Sequence, residues 1–144
     1  MTEVAFHFNV PDKRAYTCRL LRKALATGAK IVVTGTSDAL QKLDADLWDV
    51  SPTDFLPHCA ESASSGVVTK SPVILVQSLQ SVLHHEVLIN LDVAIPDGFE
   101  RFQRVIEIVS KDDDDKFGAR LRWKQYASSG FALTRHNFDR TAIA

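Results

Sequence analysis

Apolar and polar positions alternate through EVAFHFNV, residues 3–10, with Val4, Phe6 and Phe8 on one side, and this predicts a first strand. The period then changes. Over PDKRAYTCRLLRKALATG the residues Cys18, Leu21 and Leu25 recur at helical spacing, with Asp12 placed to cap the start and Gly28 to end the helix. KIVVTG is a short β-branched run, a second strand. TSDALQKLDADLWDV carries Leu40, Leu43 and Leu47 on one stripe and predicts a second helix with Ser37 as its cap. SPTDFLPHC breaks that helix at Pro52 and Pro57. PVILVQ is continuously apolar, the pattern of a strand buried on both faces, and HEVLINLD predicts another strand. ERFQRVIEIVS reads as a helix at Phe99 and Phe102 passing into a strand at Val105, Ile106 and Ile108. DDDDKFGARLRWKQYASSGF is the last helix and GFALTRHNF a closing strand, while residues 61–66, ESASSG, read as a flexible loop.

Strands alternating with helices predict an α/β fold with a mostly parallel central sheet flanked by helices. No repeat and no linker interrupts the pattern, so residues 1–144 are expected to form a single α/β domain. A chain of 144 residues can bury a core without disulfides or metal. The net charge of −1 argues against a general duplex-binding surface, which needs an excess of Lys and Arg. Two cysteines, Cys18 and Cys59, do not make a disulfide framework and fit a reducing cytoplasm. The N-terminus has no signal-peptide pattern, and no apolar run is long enough to span a bilayer.

In such sheets ligands bind at the carboxyl ends of the strands, which points to the loops NVPD and TGTSD. Neither has a glycine-rich nucleotide pattern. TGTSD could hold a phosphate at a helix start or simply cap the helix. The histidines His7, His58, His84, His85 and His136 lack metal-ligand spacing, and His84 and His85 fit a solvated turn. His58 and Cys59 are adjacent on an extended chain, so their side chains point to opposite faces and do not pair. No constellation of catalytic residues, metal ligands or cofactor contacts emerges, and a binding role is expected.

The strongest candidate for binding is the last helix. On a wheel of about 100° per residue with Lys116 at zero, Arg120 falls at about 40°, Lys124 at about 80° and Trp123 at about −20°. Three cations and an indole thus share one stripe, with Phe117 and Leu121 expected beside it towards the core and Arg122 pointing elsewhere. The four aspartates ahead of the stripe suit the positive end of the helix dipole. The stripe is either a solvated face or a pocket for something acidic and aromatic. Single-stranded DNA would also suit Trp and cations, but the aspartates would repel its phosphates, which favours an acidic peptide. A second surface, LDADLWDVSPTDFLPH, crowds Trp48, Phe55 and Pro57 together, as core or as a docking patch for an apolar partner helix.

These two stretches resemble the chi subunit family of bacterial DNA polymerase III. The first matches the form "LD..LW...P..F.PH" through Leu43, Asp44, Leu47, Trp48, Pro52, Phe55, Pro57 and His58. The second matches "R.R[YW]K.Y...GF" through Arg120, Arg122, Trp123, Lys124, Tyr126, Gly130 and Phe131. The chain departs from many relatives at Ala127, where they carry Arg. The resemblance implies a Rossmann-like fold and a non-catalytic clamp-loader accessory subunit. Such a subunit links the psi subunit to the acidic, Phe-terminated tail of single-stranded DNA-binding protein. It implies that Lys116, Arg120, Trp123 and Lys124 bind that tail. Trp48, Phe55 and His58 would then meet psi or a helicase-like partner. The alternatives are an enzyme binding a small phosphorylated ligand at the strand-end loops, and a direct single-stranded DNA binder.

Overall fold

The computed structural model describes residues 2–49, 58–60, 73–76, 79, 85–92 and 94–137. Seven strands form one sheet: β1 Glu3–Val10, β2 Ile31–Thr34, β3 His58–Ala60, β4 Val73–Val76, β5 Val87–Asn90, β6 Arg104–Ser110 and β7 Ala132–Asn137. Their order is β3-β4-β2-β5-β6-β1-β7, and every pairing among them is parallel. Among the described residues three helices accompany the sheet: α1 Lys13–Ala26, α2 Ser37–Asp49 and α3 Asp113–Ser128. The architecture is Rossmann-like α/β. Among the described residues no helix is long and apolar enough to cross a membrane.

A strand's side chains alternate between faces, and here both faces are covered. Ile31 and Val33 of β2 point into one cluster with Val73, Leu75, Ile89, Ile106 and Ile108, closed by Cys18 and Leu21 of α1 and Leu40 and Leu43 of α2. Val32 points the other way, among Ile74, Leu88, Val105, Val4 and Phe6, against Ala119 and Tyr126 of α3. Continuous apolar runs in β2 and β4 follow from this double burial.

The local signals mostly hold. Asp12 caps α1 by accepting from the Ala15 amide at 3.1 Å, and Gly28 turns the chain out of it at φ +82°. α2 is capped one residue earlier than expected: Thr36 Oγ1 accepts from the Ala39 amide at 3.2 Å, and Ser37 is already helical. Two neighbouring hydroxyls compete for one cap, and only backbone direction decides between them. The helix expected at Phe99 and Phe102 is a single 3-10 turn, Phe99–Arg101, before β6. His85, expected in a solvated turn, is half-buried with its ring edge-on to Phe102 at 5.2 Å. β3 was not foreseen; three residues are too few to show a period. The expected loop at residues 61–66, the breaks at Pro52 and Pro57, and His84 lie outside the described residues, as do the side chains of Leu25 and Leu47.

Candidate functional site

Helix α3 meets the sheet through Ala119, Arg122 and Tyr126, spaced i, i+3 and i+7, all buried. A guanidinium on the inward stripe needs a counter-charge. Glu107 of β6, itself fully buried, supplies it. Arg122 Nε donates to Glu107 Oε1 at 3.0 Å, while the Tyr126 hydroxyl and Asn90 Nδ2 each donate to Oε2 at 2.8 Å. Burial pushes the Glu107 carboxyl up, and the guanidinium with the Asn90 and Tyr126 hydrogen bonds works against that push. A Cβ on Gly118 would lie 3.3 Å from Arg122 Nη1, so this helix-interior glycine leaves the room the guanidinium occupies.

That network corrects the helical wheel. Arg122, set aside as pointing elsewhere, anchors the helix inward. Phe117 and Leu121, read as facing the core, are 63% and 53% exposed. Binary patterning sends charge outward and apolar groups inward; it has no view of a carboxylate buried on a strand 15 residues away.

Turned this way, α3 presents Lys116, Arg120, Trp123 and Lys124 to a cavity of about 560 Å³, so the structure brings all four expected residues together. Phe117 and Leu121 join the same lining. The strands contribute Phe6, Phe8 and Asn9 of β1, Val109 of β6 and Arg135 of β7. Trp123 is half-buried, edge-on to Phe6 with centroids 5.1 Å apart and planes at 69°. The Arg135 guanidinium lies over the indole, 5.7 Å from its centroid, within cation–π range. Sequence reasoning missed Arg135, Phe8 and Asn9. The signal for Arg135 is its register with Phe6, which puts both on one sheet face, but register is set by strand pairing.

Two of the four aspartates at the start of α3 are used locally. Asp112 caps the helix, accepting from the Asp114 amide at 3.4 Å. Asp115 accepts from the Ser110 amide at 2.8 Å and pairs with Lys13 of α1 at 3.4 Å. Burial pushes the Asp115 carboxyl up, but the Ser110 hydrogen bonds and the Lys13 ammonium outweigh it and hold the group below the usual carboxylate range.

Asn9 has φ 59°, the left-handed region, where β1 slips register against β6 between His7 and Val10. A bulge there re-aims the end of the strand. On the opposite face of β1, half-buried His7 bonds through Nδ1 to the Tyr16 hydroxyl and meets His136 edge-on at 5.0 Å. Burial, then the nearby charges of His136 and Arg104, hold the His7 imidazole down at about 4.

The second expected surface is described only in backbone. Trp48 lies in the last turn of α2, His58 opens β3, and Phe55 lies outside the described residues. In the TGTSD loop, a Cβ on Gly35 would sit 3.3 Å from Leu91 Cβ, and Thr36 caps α2. Packing and capping account for that loop.

Two comparisons bear on this geometry. The family described as DNA polymerase III chi subunit, HolC, matches residues 1–134. A protein of Haemophilus influenzae named DNA polymerase III subunit chi is 32% identical over 124 residues, covering 83% of this chain and 83% of that one. A family match over nearly the whole chain, joined by a relative at that identity and coverage, makes the chain a member of the DNA polymerase III chi subunit family.

Proposed function

We propose that this chain is a non-catalytic adaptor of the replisome, acting in the cytoplasm as part of the clamp-loader complex. Its cavity under α3 takes the acidic, Phe-terminated tail of single-stranded DNA-binding protein. Its Trp48, Phe55 and His58 surface takes the psi subunit or another apolar partner. Membership in a polymerase-subunit family supports the setting. One observation carries the tail reading: a single cavity joins four cations, Lys116, Arg120, Lys124 and Arg135, to an apolar lining of Phe6, Phe8 and Trp123. The cations steer and hold carboxylates, and the apolar lining accepts a terminal ring. The half-buried Trp123 already meets Phe6 and Arg135, which makes it a pocket wall rather than an open platform for stacked bases.

The strand order supports two partners at once. His58 lies on β3 and Arg135 on β7, the two ends of the seven-strand order, six inter-strand spacings apart. At about 4.8 Å each that is roughly 29 Å, enough to keep two bound segments from colliding.

Exposed ion pairs contribute about 0.2–1 kcal/mol each and burial of a Phe ring about 1.5–3 kcal/mol. With a partly desolvated contact to the terminal carboxylate, about 1.5–3 kcal/mol more, the upper part of the sum reaches an affinity near micromolar, about −8 kcal/mol. The test is titration calorimetry at two salt concentrations with an acidic peptide ending in Asp-Ile-Pro-Phe, beside the same peptide lacking its Phe. Micromolar binding that salt weakens, that loss of Phe abolishes and that Arg120→Ala and Trp123→Ala each weaken is the expected result. Unchanged affinity in both variants rules the cavity out. Tight binding of an oligonucleotide without any protein partner would favour the single-strand DNA reading instead.

A further inference from the structure

The cations of the cavity come from two sides. Lys116, Arg120 and Lys124 follow one another at i, i+4 and i+8 along α3, so they form one row about 12 Å long. Arg135 arrives from β7, the last strand of the sheet order, in register with Phe6. It is exposed, lines the same cavity, and lies over Trp123 at 5.7 Å. Among the described residues it makes no ion pair with a carboxylate. A ligand with one carboxylate is satisfied by the helix row alone. A second cation on the strand side suits a ligand whose acidic groups are spaced along a chain that crosses from α3 towards β7.

We propose that Arg135 is a specificity-determining residue of this site: it binds an acidic side chain of the peptide just ahead of the terminal ring, with the Trp123 indole holding its guanidinium in place. This rests on the peptide-binding reading above and adds a contact that the helix stripe does not contain. The residue type matters. A planar guanidinium stacks on an aromatic face and forks onto a carboxylate at the same time, whereas an ammonium does neither as well. The indole reduces the side-chain freedom that binding would otherwise remove.

The experiment is a double-mutant cycle by titration calorimetry on the full chain at low salt. The probes are the peptide ending in Asp-Ile-Pro-Phe and its counterpart ending in Asn-Ile-Pro-Phe; the proteins are wild type, Arg135→Ala and Arg135→Lys. Arg135→Ala is expected to weaken the Asp peptide about fivefold and the Asn peptide less than twofold. Arg135→Lys should fall between wild type and Arg135→Ala on the Asp peptide. Equal losses on both peptides would mean that Arg135 acts only through Trp123, and no loss on either would mean that it takes no part; each overturns the proposal. Failure of wild type to bind either peptide is a separate result, which removes the peptide reading and this contact with it. Arg135 is exposed, and unchanged thermal unfolding of the variants would show that the fold is intact.

Discussion

Asn9 is the non-glycine residue with positive φ among those described, and it stands where β1 bulges beside the cavity. Left-handed backbone costs most side chains about 1–2 kcal/mol, and asparagine less, because its short amide bonds locally. A β-branched residue has no such relief. Asn9→Val is therefore expected to destabilise the fold by about 1–2 kcal/mol, and Asn9→Gly to leave it within about 0.5 kcal/mol. Urea unfolding of the two variants checks this. Asn9→Val as stable as wild type would mean that the bulge relaxes without strain. The sequence offers NVPD at this point, and the turn chemistry of Asn before Val-Pro-Asp is readable. That the turn begins inside the strand and brings Phe8 and Asn9 to a cavity wall is not readable, because it depends on where β6 stops pairing.

At the scale of elements, α3 is held by polar contacts as much as by apolar ones. Its buried residues are Ala119, Arg122 and Tyr126, with Trp123 half-buried beside them, and the Glu107 carboxylate ties α3, β5 and β6 together through Arg122, Tyr126 and Asn90. Replacing Glu107 by Gln removes the carboxylate that faces the Arg122 guanidinium in the core, an expected loss of roughly 3–5 kcal/mol. Tyr126→Phe keeps the ion pair and removes one donor, an expected loss of about 1–1.5 kcal/mol. The combined change of Glu107→Leu, Arg122→Met and Tyr126→Phe, which withdraws the hydroxyl donor together with its acceptor, should recover most of the stability lost in Glu107→Gln. Urea midpoints order the three variants, and a Glu107→Gln protein as stable as Tyr126→Phe would show that the pair is not what fixes the helix. Here lies the reason the helix was legible and its orientation was not. Period and capping chemistry are local, so α1, α2 and α3 stand where the pattern put them. Which face turns inward depends on a partner across the core. The cationic stripe was found because it is a property of one helix; Arg135 was missed because it belongs to a neighbouring strand.

Across the whole molecule, sheet order obeys the same division. Each strand but the three-residue β3 announces itself by composition, yet β5 and β6 lie between β2 and β1 in space, which no local pattern encodes. The assembled sheet also places titratable groups that set how stability varies with pH. His7 of β1 is packed by Tyr16 of α1, His136 of β7 and the charge of Arg104 on β6, and its imidazole is held down at about 4 against an ordinary 6.5. As pH falls below 6.5, the unfolded chain takes up a proton there and the folded chain does not, so stability is lost progressively down to about pH 4. The ring is only half-buried, which reduces the effect to on the order of 1–2 kcal/mol. Glu107 works in the opposite sense: its raised carboxyl favours the folded state towards low pH, so the stability of wild type alone mixes two trends. Comparing wild type with His7→Leu cancels the Glu107 contribution, because Glu107 is common to both chains and belongs to the network under α3. The unfolding free energy of wild type minus that of His7→Leu should therefore fall steadily from pH 7 to pH 4. A difference constant across that range would mean that His7 protonates as readily in the folded sheet as in water, and that the contacts of Tyr16 and His136 do not govern it.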